Sequence, residues 1–222
     1  MFDDIAPVYD RLNTIMTAGS DGRWRRAAVA ATGAVAGSAL LDVACGTGKL
    51  AAALAERVGP FGRVVGIDLS PVMIGLASDR YRDVVQLTFR AGNALDLPFG
   101  PGEFDAATIA FGLRNLADFE AGFREMARVV RPGGAVVCLE LSMPRPRWWG
   151  RTYQAIFRRS APLAGSMFRR RGDYEYLPAS LDGFPLPERL ALTMRQSGLV
   201  EVSYRRLALG AVALHRGRVP TD

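Results

Sequence analysis

The sequence predicts an α/β fold: a doubly wound, mostly parallel seven-stranded sheet with an antiparallel edge strand. Three observations carry that prediction. Five short apolar runs of β character alternate with helically spaced segments between residues 38 and 141. The runs are continuously apolar rather than alternating, as strands covered on both faces are. Two more apolar stretches follow near the carboxyl end with only a glycine between them, which suits an antiparallel pair closing the sheet edge.

In chain order, two helices are expected first, over about 2–17 and 20–33, making residues 1–35 a helical lid. The strands are SALLDVA (38–44), GRVVGID (62–68), VQLTFRA (85–91), FDAATIAF (104–111) and GAVVCLEL (134–141). Between them GTGKLAAALAERV, SPVMIGLASDRY and LADFEAGFREMARVV have helical spacing. Ser70-Pro71 supplies an N-cap and first-turn pair, and Pro132-Gly133-Gly134 stops the third helix. LVEVSYRRLAL (199–209) and AVALHRG (211–217) complete the sheet. Residues 145–186 break the pattern and read as a substrate-side insertion in one domain spanning 1–222.

With 49% apolar and 23% charged residues the chain can bury a full core, which excludes global disorder. The first ten residues carry acids where an export signal carries positive charge, and the Ala/Gly-rich run 26–43 is too short and mild for a membrane span. Cys45 and Cys138 are too few for a disulfide framework and read as reduced thiols of a cytoplasmic protein. No metal is expected. The net charge of +6 is uneven: residues 1–144 sum to −2 and residues 145–222 to +8. From Arg145 to Arg171 there are eight arginines and no acid, interleaved with Trp148, Trp149, Tyr153, Phe157 and Phe168. This composition suits an anionic membrane surface. It equally suits phosphates with stacked bases, or a solvated loop.

The first strand runs into DVACGTGKLA, where Gly46 and Gly48 allow a tight turn before a helix whose free N–H groups face the loop. Asp68 ends the second strand, placed to accept the hydroxyls of an adenosine ribose. Gly46-x-Gly48-x-x-Ala51 also fits a dinucleotide fingerprint. Against a nicotinamide cofactor, a tyrosine–lysine reductase dyad needs a lysine far from this loop, and Lys49, the only one, lies inside it. GNALDLPF after the third strand offers an amide and backbone groups to an adenine edge.

Taken in order, these motifs resemble the class I S-adenosylmethionine-dependent methyltransferases. FDDIAPVYDRLN with GRWRR, LDVACGTG, TIAFGLRN, and YEYLPASLDGFP with GAVALHRG narrow the resemblance to the menaquinone/ubiquinone biosynthesis C-methyltransferase family, from about Phe2 to Gly217. The resemblance implies methyl transfer to a ring carbon of a prenylated quinol, demethylmenaquinol or its ubiquinone-pathway counterpart. It implies S-adenosyl-L-methionine held by Asp42, Gly46, Thr47, Gly48, Asp68, Asn93 and Ala94. Two positions depart from the family: Lys49 stands where an acid is usual, and Ala110 where some members carry serine.

FGLRN at the end of the fourth strand puts Arg114 and Asn115 beside the expected methyl group. A guanidinium held there would steady a quinol oxygen as negative charge develops. Arg114 and Asn115 are therefore the expected catalytic residues, with Tyr9 of the lid assisting; the competing reading of Arg114 is an ion pair with Asp118. His215, the only histidine, is not taken as the base. Tyr174, Tyr176, Ser180 and Phe184 are expected either to line the quinone pocket or to pack the insertion on the sheet. The expected partners are a lipid quinol and an anionic inner-membrane face met by residues 145–171, not nucleic acid, with monomer and homodimer both open. The rival enzyme is a methyltransferase for a soluble phenol, amine or nucleic acid; a third reading is a binding module without turnover. FGLRN replaces the NPPY-like motif usual in base methylation, which disfavours a nucleic-acid substrate.

Overall fold

The computed structural model describes residues 19–144 and 183–221. Seven strands form one sheet in the order β3-β2-β1-β4-β5-β7-β6. They are β1 (Ala39–Val43), β2 (Arg63–Asp68), β3 (Leu87–Ala91), β4 (Phe104–Ala110), β5 (Val130–Leu141), β6 (Val200–Leu207) and β7 (Val212–Arg218). The first five pair in parallel. β7 runs antiparallel to β5 on one side and to β6 on the other. The last two strands thus close the edge as expected, with β6 outermost and the antiparallel strand set inside it.

Helices cover both faces. They are α1 (Asp21–Thr32), α2 (Lys49–Val58), α3 (Pro71–Arg80), α4 (Phe119–Val129) and α5 (Pro187–Gln196). Consecutive strand residues point to opposite faces, so each strand feeds two cores. Leu40, Val64, Ala106 and Val137 pack with Leu50, Leu54 and Val58 of α2 and Ala28 of α1. Leu41, Val65, Ala107 and Val136 pack with Phe123 and Met126 of α4 and Leu190 and Met194 of α5. Residues such as Leu40, Leu54, Phe123 and Met126 are wholly buried. Each such side chain contributes about 1.5–3 kcal/mol through removal from water.

The helix starts follow their local chemistry. Ser70 Oγ accepts the Met73 amide with Pro71 in the first turn, and Asp118 Oδ1 accepts the Ala121 amide at the start of α4. α4 ends at Val129, but β5 begins at Val130, ahead of Pro132-Gly133-Gly134. A β-bulge opposite Phe104 and Ala106 absorbs the turn, and a Cβ on Gly134 would meet Asp105 O at 2.5 Å. The PGG segment ends the helix by becoming the start of the strand. Of the expected lid, α1 is described; the helix over 2–17 and most of the insertion at 145–186 lie outside the described residues.

Candidate functional site

A cavity opens beyond the carboxyl ends of β1, β2 and β4, where ligands bind in open α/β sheets. Its floor is the loop from Ala44 to Lys49, and Asp68, Asn93-Ala94, Phe111 and Asn115 line its walls. Gly46, Thr47, Asp68, Asn93 and Ala94, expected from the sequence, therefore meet around one space.

The glycine loop is held from below. Asp68 Oδ2 accepts the Gly46 amide at 2.8 Å, and Asp68 Oδ1 accepts the Ser70 amide at 3.0 Å. One carboxylate so ties the loop after β1 to the start of α3. Gly48 caps α2 with φ 80°, and a Cβ there would lie 2.6 Å from Phe89 Cζ. Only glycine fits both requirements. Gly46 also has positive φ, 54°, but a Cβ there would meet open space.

Of the five described non-glycine residues with left-handed backbone, two stand here: Ala44 (φ 52°) after β1 and Phe111 (φ 57°) after β4. Both line the cavity. Gly112 permits their approach, since a Cβ on it would meet Ala44 Cβ at 2.5 Å. Local strain of this kind concentrates at functional sites. The pattern of apolar residues gives no sign of it.

Asp42 and Gly48 stand behind the lining. Asp42 is 1% exposed, on the same side of β1 as Leu40. Its Oδ1 accepts the Thr108 hydroxyl at 2.8 Å, and its Oδ2 receives no hydrogen bond. Burial pushes its carboxyl up to about 7, against the Thr108 hydrogen bond and the Arg25 charge, which favour ionisation. A buried carboxylate oxygen with no donor beneath a glycine loop fits a ligand that brings positive charge. Cys45 lines the cavity, yet burial first, and then Asp42 and Asp68, hold its thiol well above the usual range; it is a neutral wall, not a nucleophile.

The loop after β3 is clamped from α4. Leu97 donates its amide to Glu125 Oε2 at 2.8 Å, while Arg128 donates to Leu97 O and Phe99 O at 2.9 and 2.8 Å. Glu125 and Arg128 also pair with each other at 2.7 Å. Arg128 hydrogen bonding holds the Glu125 carboxyl below its usual value. Asn93 Oδ1 accepts the Leu95 amide at 3.0 Å, the local turn its side chain favours.

Arg114 sits in a short 3₁₀ turn, Leu113–Asn115, after β4. Its Nη1 donates to Glu140 Oε1 at 2.7 Å and to Phe111 O at 2.6 Å, and its backbone amide reaches Glu140 Oε2 at 3.3 Å. Both side chains are buried, at 4% and 1% exposure. The ion pair is therefore with Glu140, not Asp118, which is occupied as the cap of α4. Asn115 lines the cavity; Arg114 is not among the lining residues.

Phe184 packs edge-on against Phe119 at 5.5 Å, away from the cavity lining. Tyr9, Tyr174, Tyr176 and Ser180 lie outside the described residues. His215 is buried in β7, with Nε2 3.0 Å from Pro187 O and its ring stacked on Tyr204 at 5.5 Å. Burial lowers its pKa, and it lies against α5 rather than at the cavity. Sequence reasoning passed over Arg25, which lines the cavity from α1, and Glu140. A glutamate inside the apolar run GAVVCLEL was the visible signal for the second.

The space suits an adenosine bearing an amino-acid chain: acid and amide at the β2–β3 side, a glycine cradle in the middle, cations and an orphaned carboxylate towards β1 and β4. The ubiE/COQ5 methyltransferase family profile matches residues 1–219. The demethylmenaquinone methyltransferase of Thermus thermophilus is 42% identical over 99% of this chain and 100% of its own length. That of Desulfitobacterium hafniense is 40% identical over 99% of this chain and 88% of its own. A solved S-adenosylmethionine-dependent methyltransferase from Aquifex aeolicus superposes with a TM-score of 0.62 over 88% of this chain and 89% of its own, at 17% identity, a likeness of fold. A match over nearly the whole length, joined to close relatives and a methyltransferase-like sheet, gives the conclusion that this chain belongs to the ubiE/COQ5 methyltransferase family.

Proposed function

We propose that this enzyme methylates a ring carbon of a prenylated quinol, with demethylmenaquinol as the substrate. The observation that carries this reading is one cavity that joins the glycine loop, Asp68 and Asn93-Ala94 to Asn115 at the end of β4. Support for the substrate comes from relatives at 40 and 42% identity, both named demethylmenaquinone methyltransferase.

S-adenosylmethionine is the methyl donor and supplies an electrophilic methyl on a positive sulfur. The protein contributes placement. Asp68 and the glycine loop fix the adenosine end, and the Glu125–Arg128 clamp keeps the Asn93-Ala94 segment in register. Asn115 offers its side chain to a quinol oxygen from the cavity wall. Arg114, pinned by Glu140 and Phe111 O behind the cavity lining, acts by fixing the turn that presents Asn115. Tyr9 assists from the amino-terminal segment. When bound, the methyl donor would give its methyl to the quinol ring carbon and leave as a neutral thioether, and the hydroxyl and ring protons would pass to water. Tyr174, Tyr176 and Ser180 are assigned to quinone binding on their motif alone.

The enzyme works at a membrane surface. Among the described residues no helix is long and apolar enough to cross one. A peripheral contact through the arginine- and tryptophan-rich stretch 145–171 is the reading its composition supports.

The test is incubation of the purified chain with methyl-labelled donor and reduced demethylmenaquinone, beside its ubiquinone-pathway counterpart, followed by mass analysis. A ring-methylated menaquinol is expected. Methylation of a soluble phenol alone would overturn the substrate. Flotation on anionic liposomes, beside RNA filter binding, checks the surface: flotation without RNA retention is expected.

A further inference from the structure

We infer that Arg25 is the anchor for the carboxylate of the methyl donor's amino-acid end, an assignment that rests on S-adenosylmethionine being the ligand of the cavity.

The amino end of α1 carries three arginines within the segment GRWRR. Arg23 and Arg26 are exposed; Arg25 alone is turned inward, to 15% side-chain exposure, and lines the cavity. Its guanidinium carbon stands 5.8 Å from the centre of the Phe111 ring, over the end of β4. Asp68 and Asn93 mark the β2–β3 side, so Arg25 stands at the opposite end, where a nucleoside bound there would extend its amino-acid chain.

Arg25 is held in place but not satisfied. Asp21 approaches its Nε at 3.6 Å, an ion-pair distance too long for a hydrogen bond. That Nε is buried and has no hydrogen-bond partner. A buried guanidinium N–H without an acceptor carries the desolvation penalty of an unmade hydrogen bond. An incoming carboxylate suits the guanidinium, because the planar fork matches two carboxylate oxygens in a way an ammonium cannot. The Phe111 ring below and Asp21 behind keep the fork oriented before any ligand arrives, which limits the ordering needed on binding. A purely structural Arg25–Asp21 pair would not require a side chain directed into the cavity wall.

The test is calorimetric binding by the full chain of S-adenosylmethionine and of its decarboxylated analogue, which keeps the sulfonium and the amine. Wild type is expected to favour the carboxylate-bearing ligand by roughly tenfold to a hundredfold, the range of a charge-assisted pair. Arg25→Met should lose that preference through weaker S-adenosylmethionine binding alone, leaving the analogue's affinity within about twofold. Arg25→Lys should fall between. Equal binding of the two ligands by wild type overturns the inference, as does an Arg25→Met protein that loses affinity for both alike. If Arg25→Met fails to fold, the wild-type preference and the Arg25→Lys protein still decide. A wild-type chain that binds neither ligand overturns the donor assignment itself.

Discussion

The guanidinium of Arg114 donates to Glu140 at 2.7 Å across the ends of β4 and β5, with both side chains shut away from water. Two charges at such depth are tolerated because each completes the other, and because Glu140 also takes the Leu141 amide at 2.8 Å. Removing one partner leaves the other stranded.

Glu140→Ala is expected to destabilise the protein by about 3–5 kcal/mol, the usual effect of halving a buried pair. Replacing Arg114 and Glu140 together by methionine should restore much of that stability. Methyl transfer should stay low in both proteins, while donor affinity changes little. Denaturant unfolding alongside turnover and calorimetry checks all three.

Asp42 gives a pH dependence. Its folded carboxyl sits at about 7 against 3.8 in the unfolded chain. The folded state therefore binds the proton more tightly, and stability falls as pH rises from 3.8 towards 7, then levels. Each pH unit across that window carries about 1.4 kcal/mol. Asp42→Asn in the ligand-free protein should melt higher than wild type at pH 8, with the gap closing towards pH 4, and should bind the donor more weakly.

His215 works at the acid end. Burial lowers its pKa from 6.5, so the folded protein favours the neutral ring and the unfolded chain takes up the proton first. Stability is full above 6.5 and declines as pH drops through and below it. His215→Gln should flatten the part of the melting profile below that value.

The two loop glycines should respond unequally. Gly46→Ala faces only the strain of φ 54°, about 1 kcal/mol, because a Cβ meets nothing there. Gly48→Ala adds a 2.6 Å approach to Phe89 and should lose donor binding at least tenfold more than Gly46→Ala. Equilibrium dialysis of the two variants decides.

Much of the fold could be read from the chain because continuous apolar runs and helical spacing are local signals. GRVVGID became β2, and Ser70-Pro71 capped α3. The convergence of the glycine loop with the strand-end acid was legible too, since the two have fixed spacing; Gly46, Thr47 and Asp68 line one cavity. Arg114 was harder. Its partner lies 26 residues on, in another strand, and no spacing rule links them. Yet Glu140 within an apolar strand posed the same demand for a partner as Arg114, and pairing the two demands would have found the contact. Arg25 escaped for a different reason: among three neighbouring arginines, only the helix phase set by packing shows which one turns inward.

The antiparallel closure of the sheet has a consequence for synthesis. β5 pairs on its outer side only with residues 212–218, so that flank has no partner while every earlier strand is already made. A nascent chain at that stage presents a naked row of amides and carbonyls from Ala135 to Leu141, the sort of ledge that recruits a stray strand. Stalled or clipped products missing β7 should therefore clump rather than persist as loose monomers.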